Sequence, residues 1–303
     1  MAFVRRTYRL PGAEEVVEYY TGRYGPPGQA RVKKQRPTPE QMARQNQRHR
    51  EDTCRRKMRC HFREGDYYVT FTYRVEERPA DMDQAKKHWA AAVRKLRDAY
   101  RKKGYKLKWI RNIEVGTRGG WHIHAVINRI PDGDLLLTGS WPHGIVKIIH
   151  CYGAGGFRKL AAYLTKTPMT DKRLKESHYW TSRDLPVPEP EEKVIRYKEF
   201  RKPCPPKGWV LEKDSFCEGV SEVTGYAYRR YCFIREGGRK PEEDAKLDRS
   251  RMAGGKRRKR KRKRYKEGGA EGGRRRSSVD GGRKGPDGPR KAEDAGGPGV
   301  EPR

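Results

Sequence analysis

Two imidazoles and a carboxylate in this chain are spaced so that they can meet. In Trp121-His122-Ile123-His124-Ala125-Val126-Ile127-Asn128 the residue types read as a β-strand. Residues i and i+2 of a strand share a face, so His122 and His124 project together. Glu114 closes the preceding apolar run, and Gly116-Thr117-Arg118-Gly119-Gly120 supplies a turn. A hairpin over those five residues sets Glu114 opposite His122, with Cβ atoms about 5 Å apart. Two imidazole nitrogens and one carboxylate oxygen then converge with coordination positions left open, a set suited to Mg²⁺, Mn²⁺ or Zn²⁺. An isolated His-x-His pair is more often a solvated sheet face. Against that stand the third ligand, where the hairpin needs it, and Ile123, Val126 and Ile127, read as an apolar opposite face.

A nucleophile follows downstream. Phe157, Leu160, Ala161 and Leu164 form the apolar stripe of a short helix, and Lys159, Tyr163 and Lys166 fall along one edge of it. A tyrosine between two lysines is expected to have a favoured phenolate, hence an improved oxygen nucleophile. Without the histidines, Tyr163 would read as an ordinary helix-flank tyrosine.

The elements needed to position these groups are legible in outline. Tyr67 to Tyr73 alternates β-branched and aromatic residues and reads as a strand. Asp83 to Lys103 reads as a helix with Ala85, Trp89, Ala92, Val93 and Leu96 along one stripe and Gly104 at its end. Lys106 to Val115, Trp121 to Asn128 and Ile145 to His150 are further strands, and Phe157 to Thr167 is a helix stopped by Pro168. That order predicts an α+β fold, an antiparallel β-sheet with covering helices. Upstream, residues 1–36 are basic and punctuated by Pro and Gly, which suggests an arm. Thr38-Pro39-Glu40-Gln41 signals a capped helix start. The helix over 38–59 is almost wholly polar, so it is expected to be solvated or to face DNA. Residues 1–59 are thus separated from a catalytic domain over 60–236. Its part 171–236 is expected to hold further strands or an accessory subdomain.

Charge narrows the partner. The 303 residues carry a net charge of +33, with 37% charged and 33% hydrophobic residues. So basic a chain needs a polyanion, and nucleic acid is the usual answer. Residues 237–303 are poor in large apolar side chains and rich in Lys, Arg, Gly and Pro, so this tail is expected to be disordered. Its unbroken basic run from Lys256 to Arg264, with Lys256, Arg257, Arg258, Lys259 and Arg260 leading, is expected to bind phosphates without choosing sequence. Arg118 and Lys159 are further candidate DNA contacts. The six cysteines form no CxxC pair, and no apolar leader or membrane-length run is seen, so reduced thiols in the cytoplasm and no membrane partner are expected. No G-x-x-x-x-G-K-[ST] motif occurs, so no P-loop helicase is expected.

Taken in order, the apolar-Thr strand Val69-Thr70-Phe71-Thr72-Tyr73, the pair His122 and His124, and the Tyr163-Leu164-Thr165-Lys166 helix carry a family resemblance over about residues 60–170. The chain resembles the HUH-type endonucleases, and more closely the rolling-circle replication initiators of bacterial plasmids, phages and integrative elements. The resemblance implies a sheet with a ferredoxin-like (RRM-like) core. It implies that His122 and His124 bind Mg²⁺ or Mn²⁺, with Glu114 as third ligand. It also implies that Tyr163 attacks a phosphodiester of single-stranded origin DNA, at a hairpin, to leave a 5′-phosphotyrosine and a free 3′-hydroxyl, with Lys166 stabilising charge. A host helicase and polymerase in a bacterial cytoplasm would be the implied partners. Some relatives carry two tyrosines one helical turn apart, but here position 159 is Lys and position 167 is Thr. A single-tyrosine enzyme is therefore expected, with Tyr152 a conceivable second nucleophile. A single-tyrosine transposase or relaxase fits the same residues, and so does a non-catalytic basic nucleic-acid-binding protein in which they merely pack or contact bases.

Overall fold

Alternation along five strands builds the sheet that carries the histidines. The computed structural model describes residues 3–21, 36–116, 118–152, 154–166, 174, 179–196 and 199–252. The elements run β1 (Phe3–Leu10), β2 (Ala13–Tyr20), α1 (Pro39–His61), β3 (Tyr67–Thr72), α2 (Met82–Lys102), β4 (Trp109–Val115) and β5 (Trp121–Ile127). They continue with α3 (Gly133–Ser140), β6 (Val146–His150), α4 (Arg158–Thr165), β7 (Tyr179–Thr181), β8 (Glu191–Ile195), β9 (Trp209–Leu211), β10 (Cys217–Val220), β11 (Ala227–Arg235) and α5 (Pro241–Arg251). The expected α+β fold is the fold observed.

The site-bearing sheet has the order β6-β3-β5-β4-β7 and is antiparallel throughout. Its β3-α2-β4-β5-α3-β6 segment is a ferredoxin-like split βαβ arrangement. Helix α3 is an addition to the elements expected from sequence. On one face, Val69, Phe71, Ile113, Ile123 and Ile127 pack against Trp89, Val93 and Leu96 of α2, all buried. Asp81 caps α2 by accepting from the Gln84 backbone N–H at 2.7 Å. The other face is divided. Ile110 and Val126 lie under Met58 of α1 and Ala161 and Leu164 of α4, forming a second apolar cluster. Val126 therefore belongs to the histidine face, as its even number in the strand requires, and not to the face assigned from its side-chain type.

The second sheet runs β10-β11-β2-β1-β8, with β9 also paired to β11. This corrects the reading of residues 1–36 as an arm: Pro11-Gly12 is a two-residue hairpin turn, with Leu10 paired to Ala13 and Gly12 at φ +63. Phe3, Val4, Leu10, Ala13 and Val16 are buried, so the basic residues of β1 disguise a strand with an apolar side. Residues 22–35 lie outside the described residues. The further strands expected over 171–236 are β7 to β11.

Helix α1 is capped as its sequence indicates, with Thr38 and Gln41 bonding reciprocally. It is neither solvated throughout nor wholly open to DNA, however. Cys54, Met58 and His61 are buried along with Arg55 and Arg59. Those arginines are neutralised from the second sheet and its loops: Arg55 and Arg56 meet Glu15 at 2.7 and 2.6 Å, and Arg59 meets Glu212 at 2.9 Å. Buried charge tolerates such a position only when paired and hydrogen-bonded. The tail is corrected in part as well. Residues 241–251 form α5, whose Arg251 reaches the fully buried Asp66 at 2.6 Å, while Asp66 also accepts from the backbone N–H groups of Arg63 and Arg129. Low apolar content misleads here because this helix is held by a buried ion pair and Leu247. The rest of the tail, 253–303, lies outside the described residues.

Candidate active site

Strand register delivers the first contact. Glu114 pairs with His122 across the β4–β5 hairpin, as the five-residue turn predicts, and Asn112 pairs with His124. On the other side of β5, Thr70 pairs with His124 and Thr72 with His122. The histidine rings lie parallel, with centroids 6.1 Å apart and planes 18° apart. Helix α4 covers only the apolar half of this face and brings Tyr163 to the boundary, 39% exposed.

Three heavy atoms then converge. The Tyr163 hydroxyl donates to Glu114 Oε2 at 2.9 Å and stands 3.1 Å from His124 Nε2, which is 3.3 Å from the same carboxylate oxygen. The far side of the His124 ring is held by two hydroxyls, Tyr68 at 3.0 Å and Thr70 at 3.1 Å from Nδ1. Neither is singled out for this role by sequence, although both follow from period 2 once β3 is laid beside β5. If Nδ1–H donates to one of these oxygens, Nε2 keeps its lone pair facing Glu114 and Tyr163, the arrangement by which outer groups orient metal-ligating histidines. His124 Nε2, Glu114 Oε2 and the phenol oxygen would then share a single proton, an electron-rich cluster that a cation completes. His124 Nε2 and Glu114 Oε2 are thus close enough to share a cation, and His122 lies on the same strand face with its ring centroid 6.1 Å from that of His124.

The local electrostatics correct one expectation. Lys159 and Lys166 are both exposed, and Lys166 is the residue at which α4 ends, its backbone N–H meeting the Tyr163 carbonyl. The groups that meet the phenol are Glu114, His124 and the edge of Tyr68. Burial and the Glu114 carboxylate push the Tyr163 hydroxyl well above its ordinary range. A favoured phenolate is therefore not what these surroundings provide by themselves. Glu114 is held down at about 2, first by the hydrogen bond that His124 donates when its Nε2 carries a proton, while burial and neighbouring positive charge lower His122. Arg118 is exposed at the hairpin turn, and Tyr152 is exposed ahead of α4. Lys256, Arg257, Arg258, Lys259 and Arg260 lie outside the described residues.

Fold and site together define an α+β protein with a His/Glu/Tyr cluster on the open half of an antiparallel sheet. Residues 66–168 match the family model described as Replication-associated protein ORF2, so the chain carries a replication-associated, Rep-family domain over that span. The match runs from just before β3 to just after α4 and includes every member of the cluster. Neither a curated protein nor a solved structure matches the chain. Among the described residues, no helix is long and apolar enough to cross a membrane.

Proposed function

We propose that the protein initiates rolling-circle replication by nicking single-stranded origin DNA through Tyr163 and rejoining the strands afterwards. The observation that carries this reading is the placement of one phenol oxygen within 3.1 Å of both an imidazole nitrogen and a carboxylate oxygen. Tyr163 Oη attacks phosphorus, a bond forms to the 5′ phosphate, and the P–O3′ bond breaks to leave a 3′-hydroxyl. Without an ion the phenol donates to Glu114 Oε2 and stands 3.1 Å from His124 Nε2; with those atoms engaged by an ion the phenol proton passes to solvent, and the departing 3′ oxygen takes one up from solvent. His122, His124 and Glu114 would hold Mg²⁺ or Mn²⁺, which when bound polarises the phosphate and favours the phenolate. Tyr68 and Thr70 fix the His124 ring, and the apolar packing of α4 fixes the height of Tyr163 above the sheet. Lys166 and Lys159 would contribute positive charge to the DNA path, as would Arg118 and the basic run beginning at Lys256. The partners of this reading are a single-stranded origin hairpin and a host helicase and polymerase, in the cytoplasm.

The test is a labelled hairpin strand from the protein's own replicon, incubated with the full chain and Mn²⁺ and resolved under denaturing conditions. A covalent adduct is expected, lost in Tyr163→Phe while DNA binding persists. An undiminished adduct in Tyr163→Phe would assign the attack to another residue.

A further inference from the structure

We infer that Arg78, Gly120 and His122 form a phosphodiester subsite beside the cluster, with Arg78 as its phosphate-binding residue; this rests on the proposed nicking function and adds a binding group to the same site. The inference begins with backbone restraint. Arg78 ends the 3₁₀ turn Val75–Glu77, its N–H meeting the Val75 carbonyl, and it precedes the buried Pro79. A residue before proline is held extended, and Arg78 has φ −62 and ψ 132. Its side chain therefore starts from a fixed point.

That side chain reaches the hairpin turn. A Cβ built on Gly120 would stand 3.9 Å from an Arg78 terminal nitrogen and 3.2 Å from His122 Nε2. Glycine at 120 thus leaves open a space that a guanidinium and an imidazole border together, and any side chain would intrude on it. A guanidinium at the edge of a site that would hold a cation carries an electrostatic cost.

The neighbouring acid does not relieve that cost. Glu77, one residue away, accepts from His143 Nδ1 at 2.9 Å. His143 in turn stacks on His88 with ring centroids 4.0 Å apart, which fixes the direction of the carboxylate. Among the described residues Arg78 has no salt bridge, side-chain hydrogen bond or aromatic partner. An uncompensated guanidinium beside imidazoles that would hold a cation is electrostatically unfavourable until an anion arrives between them. A planar fork of N–H donors suits a phosphodiester oxygen pair. Arg78 and His122 then border one phosphate at the hairpin turn, in the space that Gly120 leaves open.

The experiment measures binding, so it does not depend on cleavage. Fluorescein-labelled octathymidylate is titrated with the full chain by anisotropy over a series of salt concentrations. Arg78→Ala is expected to weaken binding about five- to tenfold and to reduce the slope of log K against log salt by about 0.7, the value for one lost single-strand phosphate contact. Arg78→Lys should restore most of the slope, and Gly120→Val should reduce binding by filling the space. Arg97→Ala, an exposed charge on α2 across the sheet, should leave the slope unchanged. An unchanged slope in Arg78→Ala overturns the subsite, as does an equal loss in Arg97→Ala. If the parent forms no covalent adduct yet Arg78 alone changes the slope, the subsite stands and the nicking reading fails. A parent that forms the adduct while Arg78→Ala keeps both slope and adduct rate overturns the subsite alone.

Discussion

The two faces of the five-stranded sheet are made by alternate residues of the same strands, yet they have been put to opposite uses. The odd-numbered face of β3 and β5, with Phe71, Ile123 and Ile127, is sealed by α2 and contributes burial. The even-numbered face begins apolar at Ile110 and Val126, under α1 and α4, and becomes polar toward Glu114, His122, His124 and Thr70. Reactive groups can be held rigidly and still reach a large substrate when the strands that carry them are packed from behind and covered along only half of their length. The sealed face supplies the stability, and the half-open face draws on it.

Three measurements test that division, in descending order of effect. Trp89→Ala removes a ring packed edge-on against Phe71 and Trp109 on the sealed face and should cost about 3–5 kcal/mol by denaturant unfolding. A loss below about 1 kcal/mol would show that α2 does not anchor the sheet. The second concerns pH on the α1 side. His61 is buried, its Nε2–H donating to the Pro186 carbonyl at 2.6 Å, and burial lowers it from 6.5 to about 4. The unfolded chain therefore binds this proton more readily between those values, so stability is present above pH 6.5 and falls as pH drops through the window. The loss should be on the order of 3 kcal/mol between pH 6.5 and 4. His61→Gln should flatten this part of the unfolding profile, and the same slope in that variant would assign it to other groups. The smallest effect is expected at the back of the cluster. Tyr68→Phe combined with Thr70→Val strips both hydroxyls from His124 Nδ1 and should weaken Mn²⁺ binding by roughly 10- to 100-fold in calorimetric titration, with little change in unfolding. Unchanged Mn²⁺ affinity would mean that these hydroxyls do not orient the ring.

What is legible of this site in the sequence follows from short-range geometry. The hairpin length sets Glu114 against His122, and strand alternation puts His122 and His124 on one side. Tyr68 and Thr70 need one further step, the alignment of β3 with β5, which depends on a pairing roughly 50 residues apart and so leaves no local mark. The setting of Tyr163 is obscured because spacing along its helix emphasises Lys159 and Lys166, while the groups it meets come from β4 and β5. Composition fails in a different way at both ends of the chain. Arg5, Arg6 and Arg9 suggest an arm, and the arginines of α1 suggest an exposed helix, because a charged residue reads as solvated until its partner is known. Glu18, Glu192 and Glu191 are the partners of Arg5, Arg6 and Arg9, Glu15 and Glu212 are those of the α1 arginines, and no local pattern around the arginines announces them.

The pairing of β2 with β11 also bears on how the molecule is made. Glu18 lies against Arg229, so the middle of the second sheet joins segments more than 200 residues apart. The strands of the histidine sheet all lie between Tyr67 and Thr181 and can pair as they leave the ribosome. The first hairpin must wait for β11 to be synthesised, and contacts of such high order form slowly. Until then Leu10, Ala13 and Val16 remain without Tyr231, Cys232 and Phe233, which makes the interval before β11 emerges the time when a nascent chain is most open to aggregation or to a chaperone.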